Sequence, residues 1–146
     1  MANLAAFGSY LPALLLFSGS STGPTALLLA SSGALLALAG VALVLRSRAE
    51  LGPAWSLVPG ADQRTGLVTT GPYRLVRHPI YLGLTLLALG EAVATGSWPA
   101  LAVLLFGIVP TFVWRARAEA TVLARAFDER YAAYRRRTRM IIPGIL

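Results

Sequence analysis

The first 45 residues contain no Asp, Glu, Lys or Arg, and this absence constrains the fold more than any other feature of the chain. A charge at the centre of a bilayer costs about 2.5 to 3.5 kcal/mol on insertion scales, so a long stretch without one suits hydrocarbon. The remainder agrees. Of the 146 residues 56% are hydrophobic and the mean hydropathy is +0.66, more apolar surface than a soluble domain of this size can hide. The expected fold is an all-α integral membrane protein of about four transmembrane helices with a cytoplasmic C-terminal helical segment.

The best span is residues 26–45, long enough at roughly 1.5 Å per residue to cross a core roughly 30 Å thick. It ends at Arg46-Ser47-Arg48. Residues 4–17 are apolar but shorter, interrupted by Pro12 and followed by the turn-like run from Ser18 to Pro24. No basic residue precedes them, so an uncleaved first span is expected rather than a signal segment. Residues 80–95 and 99–114, separated by Gly96-Ser97-Trp98, form a predicted helical hairpin. The chain is therefore one domain over 1–146. Its N-terminal spans occupy 1–46, a cytoplasmic loop 47–79, the hairpin 80–116 and a C-terminal segment 117–146. Within the loop, Gly52-Pro53, Pro59-Gly60 and Gly66 mark turns, and Trp55 and Leu57 suit an interfacial piece.

All 13 basic residues are arginines, confined to 46–77 and 115–139. An even number of crossings separates the two blocks, so the positive-inside rule puts both, and both termini, in the cytoplasm. The formal charge of +7 reads as a topology signal and an attraction for anionic membrane lipids, with no nucleic-acid partner, since no recognition motif accompanies it. The chain has no cysteine and one histidine, which excludes disulfides and thiolate nucleophiles and leaves no metal site to expect. There is no P-loop and no strand-anchored GxGxxG. Glu91 alone is ionisable inside a span. It lies about 18 Å along the helix from Pro79 at roughly 1.5 Å per residue, which suits a structural role near the outer face rather than catalysis. Arginine used without lysine, beside abundant Ala, Leu and Gly, suggests a GC-rich bacterial source and so the inner membrane.

Chemistry concentrates at residues 71–83, GPYRLVRHPIYLG. Thr70-Gly71-Pro72 turns the chain, and Pro79 suits the first turn of a helix, where its missing N–H costs nothing. A helix N-terminus flanked by Arg74 and Arg77 attracts a carboxylate or phosphate. The plainer alternative has both arginines snorkelling to lipid phosphates and His78 capping the helix. Further on, Glu119, Leu123, Phe127, Tyr131 and Tyr134 recur at helical spacing along one face. A carboxylate on that apolar stripe must be paired, with Arg115 four residues back, with another arginine or with a ligand.

Those residues, with RARAEATVLARAFDERYAAYRRRTRMIIP over 115–143, resemble the isoprenylcysteine carboxyl methyltransferase and phospholipid N-methyltransferase superfamily of integral membrane enzymes. The likeness covers roughly the C-terminal half. It implies a small helical bundle that holds S-adenosylmethionine at the cytoplasmic face while a lipophilic acceptor enters from the bilayer. Tyr73, His78, Pro79, Tyr81, Gly83 and Glu119 match positions that line or shape the cofactor pocket. Arg77 and Arg137, or Arg139 in a shifted register, match basic positions linked to an acceptor carboxylate, and with Glu119 they are the implied catalytic residues. Two departures stand out. The family commonly has two adjacent acids where this chain has Glu119-Ala120, and a glycine after the phenylalanine where it has Asp128.

The implied reaction is an in-line displacement at a sulfonium, dominated by positioning and exclusion of water. A carboxylate is the expected acceptor and needs only an orienting arginine, whereas a thiol, phenol or protonated amine must first lose a proton, to His78 or Glu119. Two rivals remain, an NADPH-dependent membrane reductase of related fold and a non-enzymatic lipid-binding membrane protein.

Overall fold

The computed structural model describes residues 2–16, 19, 23–52 and 66–142. The helices are α1 Ala2–Leu16, α2 Pro24–Leu51, α3 Pro79–Thr95, α4 Trp98–Val103 and α5 Val109–Arg137, with a 3-10 turn at Gly71–Arg74 and a π-helical turn at Leu104–Ile108. Among the described residues the one extended contact is an isolated parallel bridge between Val76 and Arg139. The all-α expectation therefore holds.

Among the described residues two helices are long and apolar enough to cross a membrane, α2 and the 40-residue run Trp98–Arg137. The latter holds about twice the roughly 20 residues that a span needs. Of the other two expected spans, α3 is apolar but has 17 residues and α1 has 15. α2 does not stop at Arg46 but continues through Arg48 to Leu51, because helical hydrogen bonding outlasts the change of medium that the arginines mark. Pro12 lies within α1 rather than ending it. Pro53, Trp55, Leu57, Pro59, Gly60, Ser18, the run from Ser20 to Thr22, and Pro143 lie outside the described residues.

The chain forms two compact units. The first comprises Met1–Ala42 and Gly83–Phe112, and glycine organises it. A Cβ added at Gly33 would sit 2.5 Å from the Gly90 carbonyl oxygen, one at Gly40 would sit 2.5 Å from that of Gly83, and one at Gly90 would meet that of Gly33 at 2.5 Å. α2 and α3 thus run antiparallel with their backbones touching, the approach that small residues permit where lipid supplies no hydrophobic drive between helices. α1 is tied in by polar bonds to backbone: the Tyr10 hydroxyl donates to the Ala88 carbonyl, and Ser97 Oγ donates to that of Ala13 at 2.9 Å. Ser97 also caps α4, its Oγ accepting from the Ala100 N–H. The outward side of α2 carries Leu27, Leu28, Leu35 and Leu38, each more than 60% exposed, as a lipid-facing surface requires.

The second unit comprises Leu43–Leu82 and Val113–Leu146. Its buried residues include Ser47 of α2 and, from both signature segments, Tyr73, Val76, His78, Pro79, Ala116, Tyr131, Thr138 and Ile141. α5 is broken at Asp128, which has φ 42° and ψ −118°. This is backbone space that glycine occupies freely and other residues enter only under strain.

Candidate functional site

The second unit brings residues 70–81 against α5 and the segment after it, and backbone bonds make the join. The Arg77 N–H donates to the Arg139 carbonyl at 2.8 Å, the His78 N–H to that of Met140 at 3.0 Å, and the Arg139 N–H to that of Leu75 at 3.3 Å. Gly71, at φ 55°, permits the turn that starts this stretch, and the Glu50 carboxylate packs where a Cβ would lie while accepting from the Thr70 hydroxyl. The Tyr134 hydroxyl donates to the Tyr73 carbonyl at 2.8 Å.

Glu119 is the hub. Its Oε1 accepts from the Tyr81 hydroxyl at 2.5 Å and from Arg115 Nε at 3.1 Å, and its Oε2 lies 3.2 Å from His78 Nδ1. Of the pairings open from the sequence, the one with Arg115 a turn back is present, and Tyr81 and His78 join it. Three donors on one carboxylate favour its charged form and offset the cost of placing it on an apolar stripe. The His78 ring stacks on Tyr81, with centroids 5.5 Å apart, and is 7% exposed. Pro79 is fully buried beside it, at the first position of α3.

Arg77 makes contacts at the end of α5. Its Nη1 donates to the Arg135 carbonyl at 3.1 Å, to Thr138 Oγ1 at 3.4 Å and to the Thr138 carbonyl, capping the otherwise unsatisfied end of α5. Burial, with repulsion from Arg135 and Arg139, lowers its pKa, although neighbouring Tyr131 and Tyr134 work the other way. Arg137 and Arg139 are exposed. Gly83 belongs to the α2–α3 contact described above.

Burial pushes the Tyr73 phenol above its ordinary value, helped by Tyr134, Glu119 and Glu50. Burial also raises Tyr134, against the pull of Arg77. Both rings therefore stay neutral hydrogen-bonding groups. Among the described residues three buried polar side-chain atoms have no hydrogen-bond partner, His78 Nε2, Tyr131 Oη and Arg77 Nε. Such orphans cost about 1 to 3 kcal/mol each and ask for an explanation. An open cleft of about 460 Å³ is lined by Ala124, Asp128, Tyr131, Ala132, Arg135 and Arg136. His78 and Glu119 are in direct contact, so no ligand-sized space separates those two side chains.

Sequence reasoning missed the backbone pairing of 75–78 with 139–140, the capping role of Arg77 and the small-residue contact between α2 and α3. The last had a readable signal: Gly33 and Gly40 on one helix, and Gly83 and Gly90 on the other, each recur after seven residues.

Residues 28–130 match the phospholipid methyltransferase family. A cobalt-zinc-cadmium resistance protein, CzcN, of Cupriavidus metallidurans is 37% identical over 100 residues, covering 68% of this chain and 46% of that protein. A protein-S-isoprenylcysteine O-methyltransferase of Schizosaccharomyces pombe is 37% identical over 81 residues, 54% of this chain and 34% of that enzyme. The solved structure of the eukaryotic intramembrane Ras methyltransferase ICMT, an isoprenylcysteine carboxyl methyltransferase, shares the fold. Its TM-score is 0.75 at 20% identity, over 99% of this chain and 51% of that chain. The chain spans about half the length, or less, of the curated relatives it matches.

Proposed function

The chain belongs to the phospholipid methyltransferase family, and from that premise we propose that it is an integral membrane enzyme that transfers a methyl group from S-adenosylmethionine to a lipophilic small molecule or lipid. The observation that carries the proposal is the convergence of His78, Tyr81 and Arg115 on Glu119, beside polar atoms that are buried without partners.

Those unpartnered atoms suit the cofactor. His78 Nε2, Tyr131 Oη and Arg77 Nε offer hydrogen bonds to a ligand that carries polar groups along its length, as an adenine, a ribose and an amino acid do. When bound, the cofactor supplies an electrophilic methyl group on a sulfonium. In this account Tyr73, His78, Pro79, Tyr81, Gly83 and Glu119 line or shape its pocket within the C-terminal segment, residues 117–146, and the loop leading into α3. Tyr73, His78 and Pro79 are buried, which keeps water from competing for the methyl group.

A carboxylate acceptor would be oriented by Arg77 and Arg137 or Arg139. Arg137 and Arg139 are exposed and able to meet it, while Arg77 has only what its bonds to the end of α5 leave over. We place the arginine blocks and both termini on the cytoplasmic side of a bacterial inner membrane, with α1 and α3 completing four spans. The acceptor enters from the bilayer.

A thermal-shift comparison on detergent-solubilised protein tests the proposal. S-adenosylmethionine or its demethylated product should raise Tm in a saturable way and NADPH should not. Stabilisation by NADPH alone would favour a reductase, and response to anionic lipid alone a non-enzymatic lipid binder.

A further inference from the structure

We infer that the cleft along α5 takes a group that carries both an ammonium and an anion, with Asp128 on the ammonium and Arg135, Arg136 and Tyr131 on the anion. Two sources share that chemistry, the amino-acid end of a soluble ligand and the headgroup of an aminophospholipid. The inference stands on the cleft and its lining, and it rests on the methyl-transfer reading only where the ligand is the cofactor.

The cleft, of about 460 Å³, has room for such a group. Ala124 and Ala132 on its wall each present only a methyl, which leaves the space to the ligand. Both signs of charge line it, Asp128 against Arg135 and Arg136. A lone anion would be repelled by Asp128 and a lone cation by the arginines, whereas a zwitterion is attracted at both ends. Tyr131 lines the cleft although it is only 2% exposed, and its hydroxyl is buried without a partner, a donor that calls for an acceptor. Burial raises the Tyr131 phenol and keeps it a donor, while the charges of Arg77 and Arg135 pull the other way. That end of the cleft is therefore electropositive and suits a carboxylate or phosphate.

Asp128 supplies the opposite end. Its backbone sits at φ 42° and ψ −118°, which glycine would hold without strain. What the position retains at that cost is the carboxylate, and strained residues gather where a side chain has a task. Asp128 is exposed, and among the described residues it forms no ion pair with Arg135 or Arg136. Its charge thus stays available to a ligand.

Two matched pairs of probes, each differing by one amine, test the inference on the detergent-solubilised full chain. S-adenosylhomocysteine and its deaminated analogue, which keeps the carboxylate, are titrated by calorimetry. Dioleoyl phosphatidylethanolamine and dioleoyl phosphatidylethanol, the same lipid without the amine, are compared by native mass spectrometry. In at least one pair wild type should prefer the amine-bearing member by about tenfold or more, as a charge-assisted bond provides, and that pair names the source. Asp128→Asn, which keeps the shape, should erase the preference by weakening the amine-bearing member alone. Asp128→Gly should erase it too, although its backbone is relieved. Arg135→Gln combined with Arg136→Gln should weaken both members of the pair. A preference in neither pair, one that survives in folded Asp128→Asn, or binding unchanged in the folded double arginine variant overturns the inference. Folded wild type that binds no S-adenosylhomocysteine sinks the methyl-donor reading instead, and the lipid pair then decides this one.

Discussion

Tyr81 and Glu119, 38 residues apart in sequence, share a 2.5 Å hydrogen bond that fixes the start of α3 to the middle of α5. The same carboxylate reaches His78 and Arg115. Glu119 is therefore a joint of the structure as well as a group in the candidate site, and substitutions there change both stability and binding. Four other positions test the structure around it.

Arg77 is the first. Its Nη1 caps the end of α5, and charge-assisted bonds to carbonyls contribute roughly 1.5 to 3 kcal/mol. Arg77→Ala should loosen residues 138–142, seen as faster hydrogen exchange in that segment. Arg77→Lys should restore little, because an ammonium lacks the planar fork. Unchanged exchange in Arg77→Ala would contradict the capping role.

Asp128 is the second. At φ 42° and ψ −118° it holds backbone that costs a non-glycine residue roughly 1 to 3 kcal/mol. Asp128→Gly should raise Tm and Asp128→Ala, which keeps the strain and loses the polar side chain, should not. The measurement is thermal unfolding of the purified variants. A lower Tm for the glycine variant would show that the break in α5 is not strained.

The α2–α3 contact supplies the third. A side chain at Gly90 would collide with the Gly33 carbonyl and Ala37 N–H, each 2.5 Å from a built Cβ, whereas one at Gly8 meets nothing within 4 Å. Gly90→Leu should abolish monodisperse folded protein in size-exclusion chromatography, and Gly8→Leu should behave as wild type. The paired result separates loss of packing from mere added bulk.

Glu91 is the fourth. It belongs to the unit that does not contain His78 and Glu119, and its backbone carbonyl accepts from Thr95 Oγ1 at 2.8 Å. Glu91→Gln should leave cofactor affinity unchanged by calorimetry. A tenfold loss would give this residue a part in the site.

The site was legible to the degree that it is local. The GPYRLVRHPIYLG run announced a turn and a proline-started helix, and Gly71–Arg74 and Pro79–Thr95 supply them. The helical stripe that ends in Tyr131 and Tyr134 gave the face of α5, and Tyr131 is indeed buried at 2% exposure. What stayed hidden depends on contacts distant in sequence. The role of Arg77 cannot be read without the end of α5 beside it, and the backbone bonds between 75–78 and 139–140 leave no side-chain signal, since they use groups every residue has. α1 and α3 were read as spans from apolarity, yet they are shorter than α2 and the Trp98–Arg137 helix, because helix length is set by where the turns fall.

The groups gathered on Glu119 are proposed to serve a binding site for a methyl donor. Calorimetric titration of S-adenosylhomocysteine into detergent-solubilised wild type and Glu119→Ala, with folding checked by circular dichroism, tests it most directly. Saturable one-to-one binding in wild type, weakened at least about tenfold in the variant, is predicted. Folded wild-type protein that takes up no ligand, or a folded variant that binds as tightly as wild type, would contradict it.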